Sequence, residues 1–421
     1  MTFKEWWVWF KALHFTKKWY LVLIIIRPIV DNFYELKEIS ALASPLYIVG
    51  VLTPVFIFIS FTSKKFPKKI PSGNDMPWAV FSAFLVFNCF IFYAIDLSVV
   101  AFGDLIKYTT PVLLYYYSRR FVQNAQDLHG ILIAFLVSSI FPFGMMIYEA
   151  FNPIAIQYIG AGRGGGSRIR GGYGDIMNYA VYIVGLFLVS GYFFLKNVYG
   201  KYRLVIKPWH MLLIFGFVIY GLTQIKHVST WTVSLTLLLL LLLHNLRNLK
   251  GIFFVIILLG CIIPFFAEDL YNAQIEPLIN KELKVADGET DDSHAFNGRM
   301  SRWERYFEVW EQMPAFNHFF GVASSNFDET IIMIGAGMHS DYVRLLFLTG
   351  FIGLAFYIIF LFAIGMHYFR LFMPEKFLLI GALASLILWS VSTIPLLYAP
   401  FLYITFPIFS YALLPANRQK G

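Results

Sequence analysis

The apolar residues of this chain come in long uninterrupted runs, such as LTLLLLLLLH at 235–244 and FIGLAFYIIFLFAIGM at 351–366. Few polar residues break them, so these segments have no face reserved for water. A helix apolar on every side is enclosed by protein or solvated by lipid, and about 20 such residues cross a bilayer core. The runs predict twelve helical spans, near 19–31, 42–61, 77–95, 104–118, 129–148, 176–195, 209–224, 229–244, 251–267, 342–366, 377–392 and 396–413. The expected fold class is all-α, a polytopic transmembrane helical protein. One long connection runs from about 268 to 341, and a shorter one from about 149 to 175. The chain thus divides into 1–267 with nine spans, the long loop 268–341, and 342–421 with three spans and a tail.

Composition agrees with the pattern. Of the 421 residues, 58% are hydrophobic, 19% aromatic and only 14% charged, too little polar surface to coat a soluble bundle of this size. Both cysteines, Cys89 and Cys261, fall in apolar runs, which points to small core residues and neither to disulfides nor to a thiolate metal site. The start, MTFKEWWVWFKALHFTKKWY, lacks the apolar stretch and small-residue cleavage site of a secretory signal. Its Trp6, Trp7, Trp9 and Phe10 beside Lys11, Lys17 and Lys18 read as an interfacial segment leading into the first span.

A net charge of +8 could signal nucleic acid, but its distribution excludes that reading. Connecting the spans alternately collects 20 of the 33 basic residues and 4 of the 25 acidic ones in the N-terminal segment, 62–76, 119–128, 196–208, 245–250, 367–376 and the tail. The other side holds 10 basic and 21 acidic residues. By the positive-inside rule both termini are cytoplasmic. The stretch GAGRGGGSRIRGGYGD at 160–175 then lies on the outer face, where topology gives no reason for Arg163, Arg168 and Arg170. The other outer cations are grouped too: Lys226 beside His227 in TQIKHVS, and Arg299, Arg302 and Arg305 in FNGRMSRWERYFEVW.

Three separate segments bringing cations to one face point to an anionic ligand; attraction to anionic headgroups is the alternative. Glycine favours the ligand, because it lets backbone N–H groups close around an anion. A pyrophosphate fits, since guanidinium forks match phosphate oxygens and would neutralise a departing one. For proton transfer the long loop offers His339, at the entry of a span with Ser340 or Asp341 suited to cap the helix. A solvated capping-region histidine is the competing reading, and His294 and His318 lack this boundary placement. The acidic group Asp287, Glu289, Asp291 and Asp292 lacks the spacing of a calcium loop. Neither a metal nor a cofactor is expected, and no Walker loop or nucleophile elbow is present.

Gly298, Arg299 and Trp303 form a Gly-Arg-x-x-x-Trp motif, followed by Pro314, by FGVASSNF at 320–327, by His339 and by GFIGLAFY at 350–357. This order resembles the C-terminal signature of the O-antigen polymerase and O-antigen ligase superfamily. Upstream, RGGYGDIMNYA, with Arg170, Gly171 and Asn178, is similar to the family's Arg, Gly and Asn stretch, and TQIKHVS to its Ser-Arg turn. The chain departs from the pattern at Ser340, where asparagine is usual, at Ile225-Lys226 in place of Ser-Arg, and at Ala323 in place of the second glycine of Gly-x-Gly.

The resemblance implies a GT-C-like, metal-independent glycosyltransferase of the bacterial inner membrane. It would act at the periplasmic face on undecaprenyl-pyrophosphate-linked glycans, and it admits a chain-length regulator as a further partner. On this reading His339 is the catalytic base and Arg170, Lys226 and Arg299 hold the pyrophosphate. Arg163, Arg168, Arg302, Trp303 and Tyr342 make secondary contacts. Trp303, Tyr306 and Trp310 suit either sugar faces or helix packing. A polymerase joining lipid-linked repeat units is favoured over a ligase transferring glycan to lipid A core. A lipid-linked sugar transporter or flippase is the alternative of another class.

Overall fold

The structure is a computed structural model that describes residues 1–34, 36, 44–152, 173, 176–199, 208–225, 227–245, 253, 271–272, 276, 280, 283–284, 287, 299–322 and 338–415. Its elements among these residues are helices α1 Phe3–Ala12, α2 Phe15–Asn32, α3 Pro45–Thr62, α4 Asp75–Asp96, α5 Val99–Phe121, α6 Ala125–Ser138, α7 Ile140–Phe151, α8 Ile176–Tyr199, α9 Pro208–Ile225, α10 Val228–Asn245, α11 Arg299–Glu311, α12 Ala315–Phe320, α13 Asp341–Met366, α14 Met373–Ser392 and α15 Ala399–Ala412. Two 3₁₀ turns, His367–Arg370 and Pro395–Leu397, lead out of α13 and into α15.

Among the described residues seven stretches are long and apolar enough to cross a membrane: α3, α4, α6 with α7, α8, α10, α13 with its following turn, and α14. They fit a polytopic helical membrane protein. Helices also run through the predicted spans at 19–31, 104–118, 209–224 and 396–413, but these do not meet the same measure. The α2 helix carries Lys17, Lys18, Arg27 and Asp31, and α5 carries Asp104, Lys107, Arg119 and Arg120. The apolar parts of α9 and α15, Leu213–Ile225 and Ala399–Ala412, are short. Of the ninth predicted span, 251–267, only Phe253 is described. Where one span was predicted at 129–148 the helix breaks at Ser139. Ser138 and Ser139 both turn their hydroxyls onto the Phe135 carbonyl, and Pro142 has no N–H to continue the ladder.

The centre of the bundle is α8 with α15. Both are buried along nearly their whole length, which explains why they are apolar on every face. Around them stand α6, α9, α10 and α14, with α5 against α15 and α2 against α6. The α13 helix packs between α4 and α14. The amphipathic α1 begins with a capping box of Thr2 and Glu5, and its buried Trp6 donates to the Gly130 carbonyl of α6 at 2.9 Å.

Several charges inside the bundle are paired, as a low-dielectric interior favours. Lys17 meets Asp127 at 2.9 Å, Arg27 meets Asp31 at 2.7 Å, and Lys196 pairs with Glu375. The densest network surrounds Asp75, which accepts from Tyr115 at 2.7 Å and Arg119 at 3.0 Å and faces Lys69 at 3.1 Å. Arg119, fully buried, also donates to the Ile70 and Ser410 carbonyls. One side chain thereby ties α4, α5, α15 and the loop before α4 together.

Candidate functional site

His339 and the residues beside it are fixed from three directions. On one side is α11, whose Trp303 Nε1 donates to the Met338 carbonyl at 3.2 Å. On another is α14: Ser340 Oγ donates to the Ser390 carbonyl at 3.0 Å, and the Asp341 N–H to the Thr393 carbonyl at 3.0 Å. The third is the Pro395–Leu397 turn, where the Leu396 N–H donates to Asp341 Oδ2 at 2.9 Å. The capping expectation is corrected here. Ser340 occupies the N-cap position of α13 but makes no capping bond, because its hydroxyl is committed to α14. Asp341 holds the turn before α15 instead.

His339 itself has φ 46°, in the left-handed region. That region is disfavoured for residues with a Cβ, by about 1–2 kcal/mol, and sidechain-bearing residues held there cluster at functional sites. The bonds made by Met338, Ser340 and Asp341 on either side are what maintain it.

One turn into α13, buried Arg344 donates to the Tyr108 hydroxyl of α5 at 3.2 Å. Tyr306 of α11 lies within the field of both Arg344 and Arg302. Burial raises its hydroxyl above the ordinary tyrosine value, and the two guanidiniums oppose that rise. Two cations are therefore gathered near the His339 segment, one from α11 and one from α13. Arg344 is not among the residues that the sequence alone singled out; its signal is an arginine five residues past the histidine, inside an apolar run.

The other sequence candidates divide. Arg163, Arg168, Arg170 and Lys226 lie outside the described residues, as do His294 and Cys261. Arg299 opens α11, though its side chain is not described. Arg302 is half-buried on the same helix. Tyr342 turns to α14, donating to the Ile387 carbonyl at 3.2 Å. Trp303 is half-buried, whereas Tyr306 and Trp310 are buried against Phe347, with ring centroids 5.8 and 5.0 Å away, so these two pack α11 onto α13. His318 is bonded to the Trp310 carbonyl at 2.6 Å. Cys89 is buried in the core.

Sequence reasoning missed a second polar cluster in the bundle. The Arg27–Asp31 pair faces Tyr182 and Tyr403, and Asp31 also faces Tyr173. Tyr173 and Tyr182 stack at 6.0 Å, and their buried hydroxyls have no hydrogen-bond partner among the described residues. Tyr173 follows Arg170 by three residues in the chain. The signal was an Arg and an Asp four apart in a run otherwise apolar.

No family model matches the chain, and no curated protein is similar to it.

Proposed function

We propose that the protein is a glycosyltransferase of the O-antigen polymerase and ligase type, working on undecaprenyl-pyrophosphate-linked glycans. The proposal includes twelve spans in a GT-C-like arrangement, in a bacterial inner membrane, with the His339 end of the bundle facing the periplasm. The observation that carries it is the Trp303 bond to Met338. It sets the helix bearing Arg299 and Arg302 against the backbone beside His339, two parts of the motif that are 35 residues apart. The left-handed backbone of His339 and the charge asymmetry of the loops support the same reading.

In the proposed reaction His339 accepts the proton of an acceptor sugar hydroxyl, and that oxygen attacks the anomeric carbon of the donor. The bond from that carbon to the pyrophosphate oxygen breaks, and the electron pair leaves with the pyrophosphate. Arg170, Lys226 and Arg299 neutralise the charge that grows there, with Arg302 beside them. A polymerase and a ligase share these steps and differ only in acceptor. The polymerase is favoured on the form of HSDYVRLL.

The test is genetic and cheap. Cells carrying His339→Ala at normal protein level should lose polymerised surface glycan; retention of a normal ladder contradicts the proposal.

A further inference from the structure

The segment after α11 changes character at Pro314. Up to that point the outward side chains are mainly charged: Glu304, Arg305, Glu308 and Glu311 are all exposed, with Phe307 the one large apolar side chain among them. Beyond it α12 exposes Phe316, Phe319 and Phe320 at 67%, 53% and 37%. A water-facing helix of six residues has no reason to present three phenylalanines outward.

The position of α12 supplies the reason. It packs on α13 about two turns inside the start of that helix. Val322 N–H donates to the Phe347 carbonyl at 2.8 Å, and Asn88 Nδ2 of α4 bridges the Phe320 and Leu348 carbonyls at 2.8 and 2.6 Å. Leu348 lies seven residues inside α13, about 10 Å from its start, and Asn88 eight residues inside the far end of α4, about 12 Å. Two helices that meet the length and hydropathy of membrane spans thus place α12 at the same depth.

The backbones touch there. Gly321 has φ 84° and Gly350 φ 64°. A Cβ on Gly321 would stand 2.5 Å from the Leu348 carbonyl carbon, and one on Gly350 2.3 Å from that of Phe319. Gly350 also breaks the α13 ladder, which frees the carbonyls that Val322 and Asn88 then satisfy. Non-helical backbone at membrane depth is tolerated where protein groups take up its hydrogen bonds in this way. Around the rim, Phe84 stacks on Phe320 at 5.9 Å, and the exposed Phe351 meets Trp310 at 5.8 Å. The exposed Phe87 and Phe90 continue the apolar surface along α4.

We infer that Ala315–Val322 is a re-entrant wedge whose Phe316, Phe319 and Phe320 face the acyl chains of bilayer lipid. The stretch 268–341 is then anchored in the membrane at this point and does not lie wholly in water. The inference stands apart from the catalytic reading, since its tests do not use activity.

In liposomes, full-length protein with Cys89→Ala and Cys261→Ala would carry a spin label at Phe316→Cys or Phe319→Cys. Both labels should be relaxed by oxygen in preference to a nickel chelate, as at Phe87→Cys, whereas Glu304→Cys on α11 should show the reverse. Chelate access at 316 and 319 equal to that at 304, or shielding from both reagents, overturns the wedge. Unsubstituted protein gives an independent reading with a phospholipid photoactivatable in its acyl chain. Adducts should map to the peptide holding 315–322; adducts on α4 but none there overturn the inference.

Discussion

Gly350→Ala tests the packing that holds the His339 end together. A side chain at φ 64° costs about 1–2 kcal/mol by itself. The new Cβ would also stand 2.3 Å from the Phe319 carbonyl carbon and oxygen and 2.6 Å from the Phe320 nitrogen. These are backbone atoms, so no rotamer change relieves the contact and α12 must move away from α13. That movement stretches the Val322 bond to Phe347 and the two Asn88 bonds, each contributing about 1 kcal/mol. The sum is a loss of about 3–5 kcal/mol, after allowance for partial relaxation. Unfolding of the reconstituted protein against a denaturing detergent, with Gly50→Ala as control, measures it. Gly50 sits in α3 with nothing within 4 Å of a built Cβ, so its replacement should be neutral or stabilise by up to about 1 kcal/mol. A Gly350→Ala protein within about 0.5 kcal/mol of wild type would refute the close backbone contact.

Other outcomes follow from the same structure. Asp75→Asn should destabilise by about 3–5 kcal/mol, because it strips the buried Arg119 of its counter-charge, and a thermal melt in detergent would show it. Trp303→Phe should keep the fold but remove the bond to Met338, and lower glycan transfer by more than it lowers stability, which is a loss of about 1 kcal/mol. Arg302→Ala should raise the lipid-linked donor concentration needed for half-maximal rate, read from initial rates; an unchanged concentration dependence removes Arg302 from the site.

What the sequence revealed was governed by local chemistry. The helices at the predicted spans follow from apolar runs that need no partner to be recognised. Gly321 and Gly350 were visible as motif glycines, yet their role was not, because it arises only when residues 29 apart bring two backbones into contact. The same holds for Arg119, whose partners Asp75 and Ser410 lie 44 and 291 residues away. The capping expectation at Ser340 and Asp341 failed for a related reason: Ser340 Oγ turns away to donate to the Ser390 carbonyl of α14, and the Leu396 N–H of the 395–397 turn occupies Asp341 Oδ2. Tyr306 and Trp310, equally suited by sequence to sugar or packing, were decided by Phe347.

The central claim is that this chain moves a glycan from a lipid pyrophosphate carrier with His339 as base. Purified protein in liposomes, supplied with undecaprenyl-pyrophosphate-linked repeat units and no divalent cation, tests it most directly. The account predicts a ladder of lengthened lipid-linked glycans that disappears with His339→Ala while the protein stays folded. No transfer by the wild type to any lipid-linked or lipid A core acceptor, or an undiminished ladder from His339→Ala, would contradict it.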